Sequence, residues 1–150
     1  MVRQFPPHLL GDEKHTWWMG DRVYVATTVG AGCILGAQLS LTAGPEDLQE
    51  AYGVFAQEAL QLNPDYQPQT INNDGWDATQ SAWKHLFPGV TVLLCFLHSV
   101  LAIGKRCRSQ KSLFGTLMEK LWDVYHTTDA PGFIEQLRAL QVWAIGEESI

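Results

Sequence analysis

Hydrophobic and polar positions divide this chain into two regimes. In the first forty residues the signal is β-branched and aromatic. Residues 22–29, RVYVATTV, read as a strand. Upstream, PHLLGDEKHTWW reads as another, with Pro6-Pro7 ending any helix before it. Downstream, GAG leads into CILGAQLSL, a third strand, and WWMGDR supplies a Gly-Asp turn signal between the first two. Links this short favour an antiparallel meander.

The period then lengthens. GPEDLQEAYGVFAQEALQL starts with Gly44 in a cap position and Pro45 at the first helical position. Leu48, Ala51, Tyr52, Phe55, Ala59 and Leu62 fall on one face, as in an amphipathic helix. NPDYQPQ breaks that helix, and QTIN is a short strand that must return to the sheet. Asp77 and Gln80 have the spacing of a capping box opening a helix through about Leu86, and Pro88-Gly89 close it. VTVLLCFL is expected to be a strand buried on both faces. From about Ser99 onward the chain reads helical. Leu113, Phe114, Leu117, Leu121 and Trp122 form one packing stripe, and Phe133, Ile134, Leu137 and Leu140 another, with TTDAPG as turn and cap between them. The order is three antiparallel strands, helix, strand, helix, strand, then helices: an α/β class with a mixed sheet.

Composition narrows the setting. A chain of 150 residues, 46% hydrophobic and 17% charged, has the length and makeup of about one globular domain. A formal charge of −6 argues against strong duplex binding by this piece alone. Cys33, Cys95 and Cys107 are odd in number and lack framework spacing, so reduced, intracellular thiols and a cytoplasmic location are expected. The start, MVRQFPPHLL, has no long apolar core of a signal peptide. The most apolar run, Val90 to Val100, is interrupted by His98 and too short to span a bilayer, so no membrane association is expected.

The candidate chemistry centres on TINNDGWDATQ, where a carboxylate, Asp74, stands between a short strand and a helix. Ligands of mixed sheets collect at the carboxyl ends of strands. Asp12, at the end of HLLGD, could be its partner if the first strand lies beside the one holding Asp74. Two convergent carboxylates, with a third from elsewhere, suit a pair of hard divalent cations and in-line phosphoryl displacement. The commoner role of such an aspartate is a turn or a cap. Asp77 looks like the helix cap, which would leave Asp74 for metal.

Asp-Gly-Trp at 74–76, a short helix ending in LFPGV and then LLCFLH at 93–98 resemble the catalytic core of DDE transposases of bacterial insertion sequences, near the Mutator-like branch. The resemblance implies a ribonuclease-H-like fold and Mg²⁺- or Mn²⁺-dependent DNA strand cleavage and transfer. It places the family's second aspartate at Asp74, its first at Asp12, and its Cys-x-x-His at Cys95 and His98, in supporting roles. Glu13 is adjacent to Asp12, but period-two alternation aims it at the other face. The family's third carboxylate is a glutamate on a late helix after an all-helical insertion. Glu119 and Glu135 lie inside what resembles the start of that insertion, Glu147 and Glu148 come too early, and none is carried over. The resemblance runs from Leu9 to Trp143 and divides the chain into a partial core, 1–104, and the start of the insertion, 105–150. It lacks the family's helix-turn-helix and implies a fragment truncated at both ends and inactive alone. Transposon-end DNA is the partner expected of the intact parent, and a homodimer is an allowed state.

Other readings compete. Cys95 and His98 are only half of a zinc site, and Cys33 and Cys107 have no spacing to complete it, so no zinc is expected. GKRCRSQK carries Lys105, Arg106, Arg108 and Lys111, four of the ten basic residues. It could track a DNA backbone or be the solvated end of a helix. Trp76 and Trp83 are expected in the core. Trp17 and Trp18 cannot both face inward on a strand, so one is expected to be exposed or covered by sequence outside this one. Against the transposase-core reading stands a non-enzymatic α/β remnant acting as an interaction or regulatory protein. Loss of metal binding on Asp74→Asn separates the two.

Overall fold

The computed structural model describes residues 5–107 and 109–147. The chain begins with three strands, β1 (His8–Trp18), β2 (Asp21–Gly30) and β3 (Cys33–Ser40). Then come α1 (Pro45–Leu62), β4 (Thr70–Asn73), α2 (Asp77–Leu86) and β5 (Thr91–Leu94), and finally α3 (Phe96–Arg106), α4 (Lys111–Tyr125) and α5 (Ala130–Gly146). The first two connections are two-residue turns, Met19-Gly20 and Ala31-Gly32, with positive φ at all four residues. That is the geometry whose twist matches paired antiparallel strands.

The five strands form one sheet in the order β3-β2-β1-β4-β5. β1 pairs antiparallel with β2, and β2 with β3; β4 pairs parallel with β1, and β5 with β4. This order with these directions is a ribonuclease-H-like mixed sheet, and the chain is an α/β protein of that fold class. Two compact units divide between Ser99 and Val100. The first holds the sheet with α1 and α2; the second holds α4, α5 and most of α3.

The core of the first unit lies between one face of the sheet and the two helices crossing it. Leu9, Ala26 and Ile71 supply the sheet side, and Leu48, Ala51, Tyr52, Phe55, Ala56, Ala59, Ala82 and Trp83 the helix side. Gly44 is the N-cap of α1 with Pro45 opening the helix. Trp83 is fully buried, stacked on Phe87 at 6.0 Å between centroids and tilted against Tyr52 at 4.9 Å. Burial of these large aromatic surfaces is the main stabilising term of this unit.

Several expectations are corrected. β1 covers the stretch read as a strand, so Asp12 stands inside it and not at its carboxyl end, and β2 continues to pair with it after β4 has ended. β5 is not buried on both faces: it is the edge strand, only four residues long, with Leu93 and Leu94 exposed. The residues after it turn into α3 at Phe96 instead of extending the strand. Trp76 is 40% exposed, its ring edge-on to Tyr24 at 6.2 Å, and is not a core residue. Trp17 and Trp18 are both exposed. Leu62, the last residue of α1, is exposed where its helix leaves the sheet. The α5 stripe is half exposed at Phe133, Ile134 and Leu137.

Candidate metal centre

The site is built where parallel pairing stops. β1 and β4 are in register at His8↔Thr70, Leu9↔Ile71 and Leu10↔Asn72. Two residues beyond the last pair, β1 reaches Asp12, and the chain leaving β4 reaches Asp74. Strand alternation puts Leu10 and Asp12 on one face with Asn72, and Asp74, in the turn just after β4, lines the same cavity as these three. The backbones no longer bond each other at that level. β1 continues in its hairpin with β2, while the Asn73 carbonyl accepts the N–H of Cys95 at 2.7 Å. The divergence opens a cavity of about 180 Å³, lined by Leu10, Gly11, Asp12, Asn72, Asn73, Asp74, Cys95, Leu97 and His98.

The structure therefore brings Asp12, Asp74, Cys95 and His98 to one cavity. Cys95 immediately follows β5 and His98 stands in the first turn of α3, so helical spacing returns the histidine toward the strand ends. Both aspartates are exposed. The turn after β4 orders Asp74: its Oδ1 accepts the Trp76 N–H at 2.9 Å, and Asn73 Oδ1 accepts the Gly75 N–H at 2.9 Å. Gly75 has φ of +90°, and a Cβ there would stand 3.2 Å from Leu94 Cδ2. A side chain there would be strained and crowded at once.

The helix cap differs from the capping-box expectation. Trp76 is the N-cap of α2, without a side-chain hydrogen bond, and Asp77 is the first helical residue. Gln80 does reach back, donating through Nε2 to the Gly75 carbonyl at 2.9 Å. Asp74 is thus both a turn acceptor and a cavity residue. A carboxylate offers about four lone-pair positions, so the bond to Trp76 leaves others for a cation.

Glu13 points to the other face, as alternation requires. Its Oε1 accepts the Tyr52 hydroxyl at 2.5 Å and the Thr79 hydroxyl at 2.8 Å. Burial pushes the Glu13 carboxyl above its ordinary range, the two hydrogen bonds oppose this, and the charges of Asp74 and Asp12 add to it. The Tyr52 phenol is also pushed up, by burial first and by Glu13 second.

Among the described residues no three His, Cys, Asp or Glu side chains converge as a metal-binding group. Cys95 and His98 line the cavity with the aspartates without forming such a group. Oxygen chemistry fits better. Asn72 Oδ1 is buried without a hydrogen-bond partner, and Asn72 lines the same cavity as both aspartates. An acceptor without a donor is what a cation satisfies. Two carboxylates and a carbonyl are hard ligands, and Mg²⁺ commonly takes only one or two carboxylates and keeps several waters. The residues present fit such an ion. Asn72 was missed from sequence, although its spacing of two from Asp74 was the signal. His98 Nδ1 is likewise buried and without a partner.

The basic residues lie elsewhere. Lys105 and Arg106 occupy the last turn of α3 and Lys111 the first position of α4, all exposed and all in the second unit. Arg108 lies outside the described residues. A larger cavity, about 720 Å³, is found within that unit; it is lined chiefly by Leu113, Leu117, Leu121, Leu137 and Leu140, with Arg106 and Cys107, and has no carboxylate in its lining.

No protein-family model matches the chain, and no curated protein sequence matches it. Among solved structures, it is similar to the HTLV-2 integrase catalytic core domain in complex with magnesium. For the dimeric form the identity is 14% and the TM-score 0.45, covering 91% of this chain and 87% of that one. For the trimeric form the values are 14% and 0.44, with 89% and 84% covered. The simian T-cell lymphotropic virus intasome, in complex with PP2A regulatory subunit B56 gamma, gives 15% and 0.47, with 91% of this chain and 50% of that one covered. The fold assignment rests on strand order and direction.

Proposed function

We propose that this chain carries part of the catalytic core of a DDE-type DNA transposase of a bacterial insertion sequence, with Asp12 and Asp74 as two of its three acidic ligands. The observation that carries this reading is that Asp12, on β1, and Asp74, directly after the parallel neighbour β4, line one cavity. The Asp-Gly-Trp and Cys-x-x-His motifs support it, since Asp74 of the first and Cys95 and His98 of the second line that cavity.

Asp12, Asp74 and the carbonyl of Asn72 would hold Mg²⁺ or Mn²⁺. When bound, the ion supplies charge neutralisation for an in-line displacement at a DNA phosphodiester, with water and then a 3′ hydroxyl as nucleophile. The protein's share is positional. The Asp74–Trp76 turn fixes one carboxylate, and the β1–β2 hairpin fixes the other. His98 serves in support, beside the ligands. Lys105, Arg106, Arg108 and Lys111 are proposed to contact the DNA backbone, a local role in a chain of net charge −6.

Two carboxylates are one short of the family's set, so the isolated chain is expected to show no strand cleavage with Mg²⁺. The reading itself is tested by Mn²⁺ titration followed by electron paramagnetic resonance. Asp74→Asn and Asp12→Asn should each weaken affinity at least about tenfold, the scale of losing a charged ligand's contribution. Unchanged binding in both variants would overturn the metal site and favour the non-enzymatic interaction protein.

A further inference from the structure

Above the last β1–β4 pair, Leu10↔Asn72, backbone hydrogen bonds do not join β1 to the chain leaving β4. A different connection spans that level from behind the sheet. Glu13, next to Asp12, receives Tyr52 of α1 and Thr79 of α2 on one carboxylate oxygen. Thr79 is the third residue of α2 and is fully buried. The start of α2 is tied in turn to the Asp74 turn, through Gln80 Nε2 to the Gly75 carbonyl and the Gln80 N–H to the Trp76 carbonyl at 3.0 Å. The Trp76 N–H closes the chain on Asp74 Oδ1.

We propose that Glu13 is a positioning residue: its hydrogen bonds to Tyr52 and Thr79 set the separation of Asp12 and Asp74 from the opposite face of the sheet. The proposal rests on the reading of those aspartates as cation ligands. Asp12 is tied to the clamp by its peptide bond to Glu13; Asp74 is tied to it through the turn and the first turn of α2.

Stability alone does not account for the carboxylate. Placing an acid against two helices carries a desolvation cost, and well-packed apolar residues often replace buried charged groups without loss. An acceptor at this position does something a leucine does not: it takes two hydroxyl donors from two different helices at one point. Groups that orient ligands in this way control metal affinity without touching the ion. Tyr52 is almost fully buried as well, so the clamp is held rigidly by the packing around it.

The test compares Thr79→Val, Glu13→Leu and Glu13→Gln in the whole chain, with circular dichroism as the check on folding. Two quantities are read: amide hydrogen exchange at Gly75 and Trp76, and Mn²⁺ affinity. Thr79→Val and Glu13→Leu should each speed exchange at Trp76 and weaken Mn²⁺ binding by about tenfold, the usual scale for orienting partners. Glu13→Gln keeps an oxygen acceptor at the same place and should restore both to within about twofold of the natural chain. Wild-type exchange and affinity in Thr79→Val would overturn the proposal, as would a Glu13→Gln variant as impaired as Glu13→Leu. If Glu13→Leu fails to fold, the near-isosteric Thr79→Val decides alone. Absence of Mn²⁺ binding in the natural chain would sink the cation site and this proposal's ligand-positioning claim together. Unchanged exchange at Trp76 would sink the clamp while leaving the cation site standing.

Discussion

Asp74 shows how much one residue's role depends on its neighbours. Its Oδ1 stabilises the turn, and the turn exists because Gly75 adopts φ of +90° with only 3.2 Å to Leu94 for any Cβ. Gly75→Ala is therefore expected to cost about 1–3 kcal/mol, the range for a non-glycine residue forced into such a conformation. Urea denaturation measures it, and a loss under about 0.5 kcal/mol would mean the turn relaxes without strain. A turn aspartate and a metal-ligand aspartate look alike in a sequence, because both follow a strand and precede a glycine. Here the turn bond is present in the structure and Asp74 also lines the cavity; the ligand role is the one proposed above. Asn72 was passed over for the opposite reason. A neutral amide draws no attention until its oxygen is found buried without a donor.

At the scale of elements, the meander, α1, β4 and α2 were legible because period-two and period-3.6 patterns are strong over these lengths. The fifth strand was misread. VTVLLCFL is apolar enough for a central strand, but apolar runs do not distinguish a central strand from an edge strand continued by a helix. Strand order decides that, and β5 is at the edge. The aromatic cluster between α1, α2 and the sheet carries a prediction of its own. The Tyr66 phenol, buried against Phe5, Phe55 and Phe87 and donating to the Pro6 carbonyl at 2.9 Å, is pushed up to about 12 by burial. Its pKa in the fold is thus above the ordinary 10, so the folded chain retains a proton that the unfolded chain loses. Its stability contribution is full below pH 10 and falls as pH rises toward 12. Tyr52 acts in the same direction. Unfolding midpoints measured from pH 9 to 12 should fall, and less steeply in Tyr66→Phe. Equal slopes would remove Tyr66 as a cause.

Across the whole molecule, the acidic charge and the exposed apolar surface set the behaviour in solution. No helix among the described residues is long and apolar enough to cross a membrane. Yet α5, with Glu135 and Arg138 as its charged residues, has no buried side chain, and Ile134, Leu137, Val142 and Ile145 are all exposed. A helix apolar around its circumference is ordinarily covered. Concentration-dependent self-association is expected by sedimentation velocity, and the pair Ile134→Lys and Leu137→Lys should shift the chain toward monomer. A monomer at all concentrations for the natural chain would refute this. Any DNA affinity of so acidic a chain should depend on its local basic residues, and should weaken steeply with salt.

By itself the sequence determined the meander, α1, β4 and α2, and the alternation that sends Asp12 and Glu13 to opposite faces. These follow from local chemistry: side-chain periodicity, turn residues, and a helix start marked by Gly44-Pro45. Tertiary structure alone decided that β4 lies beside β1 in the register Leu10↔Asn72, which brings Asp12 and Asp74 to one cavity although they are far apart along the chain. It also decided that Cys95 and His98 face the same cavity, and that Glu13 is met by hydroxyls from two helices. The physical reason is that parallel pairing joins distant segments. Its register is chosen by which side chains the core can bury together, here Leu9 and Ile71 against Trp83 and Tyr52, and not by anything local to either aspartate.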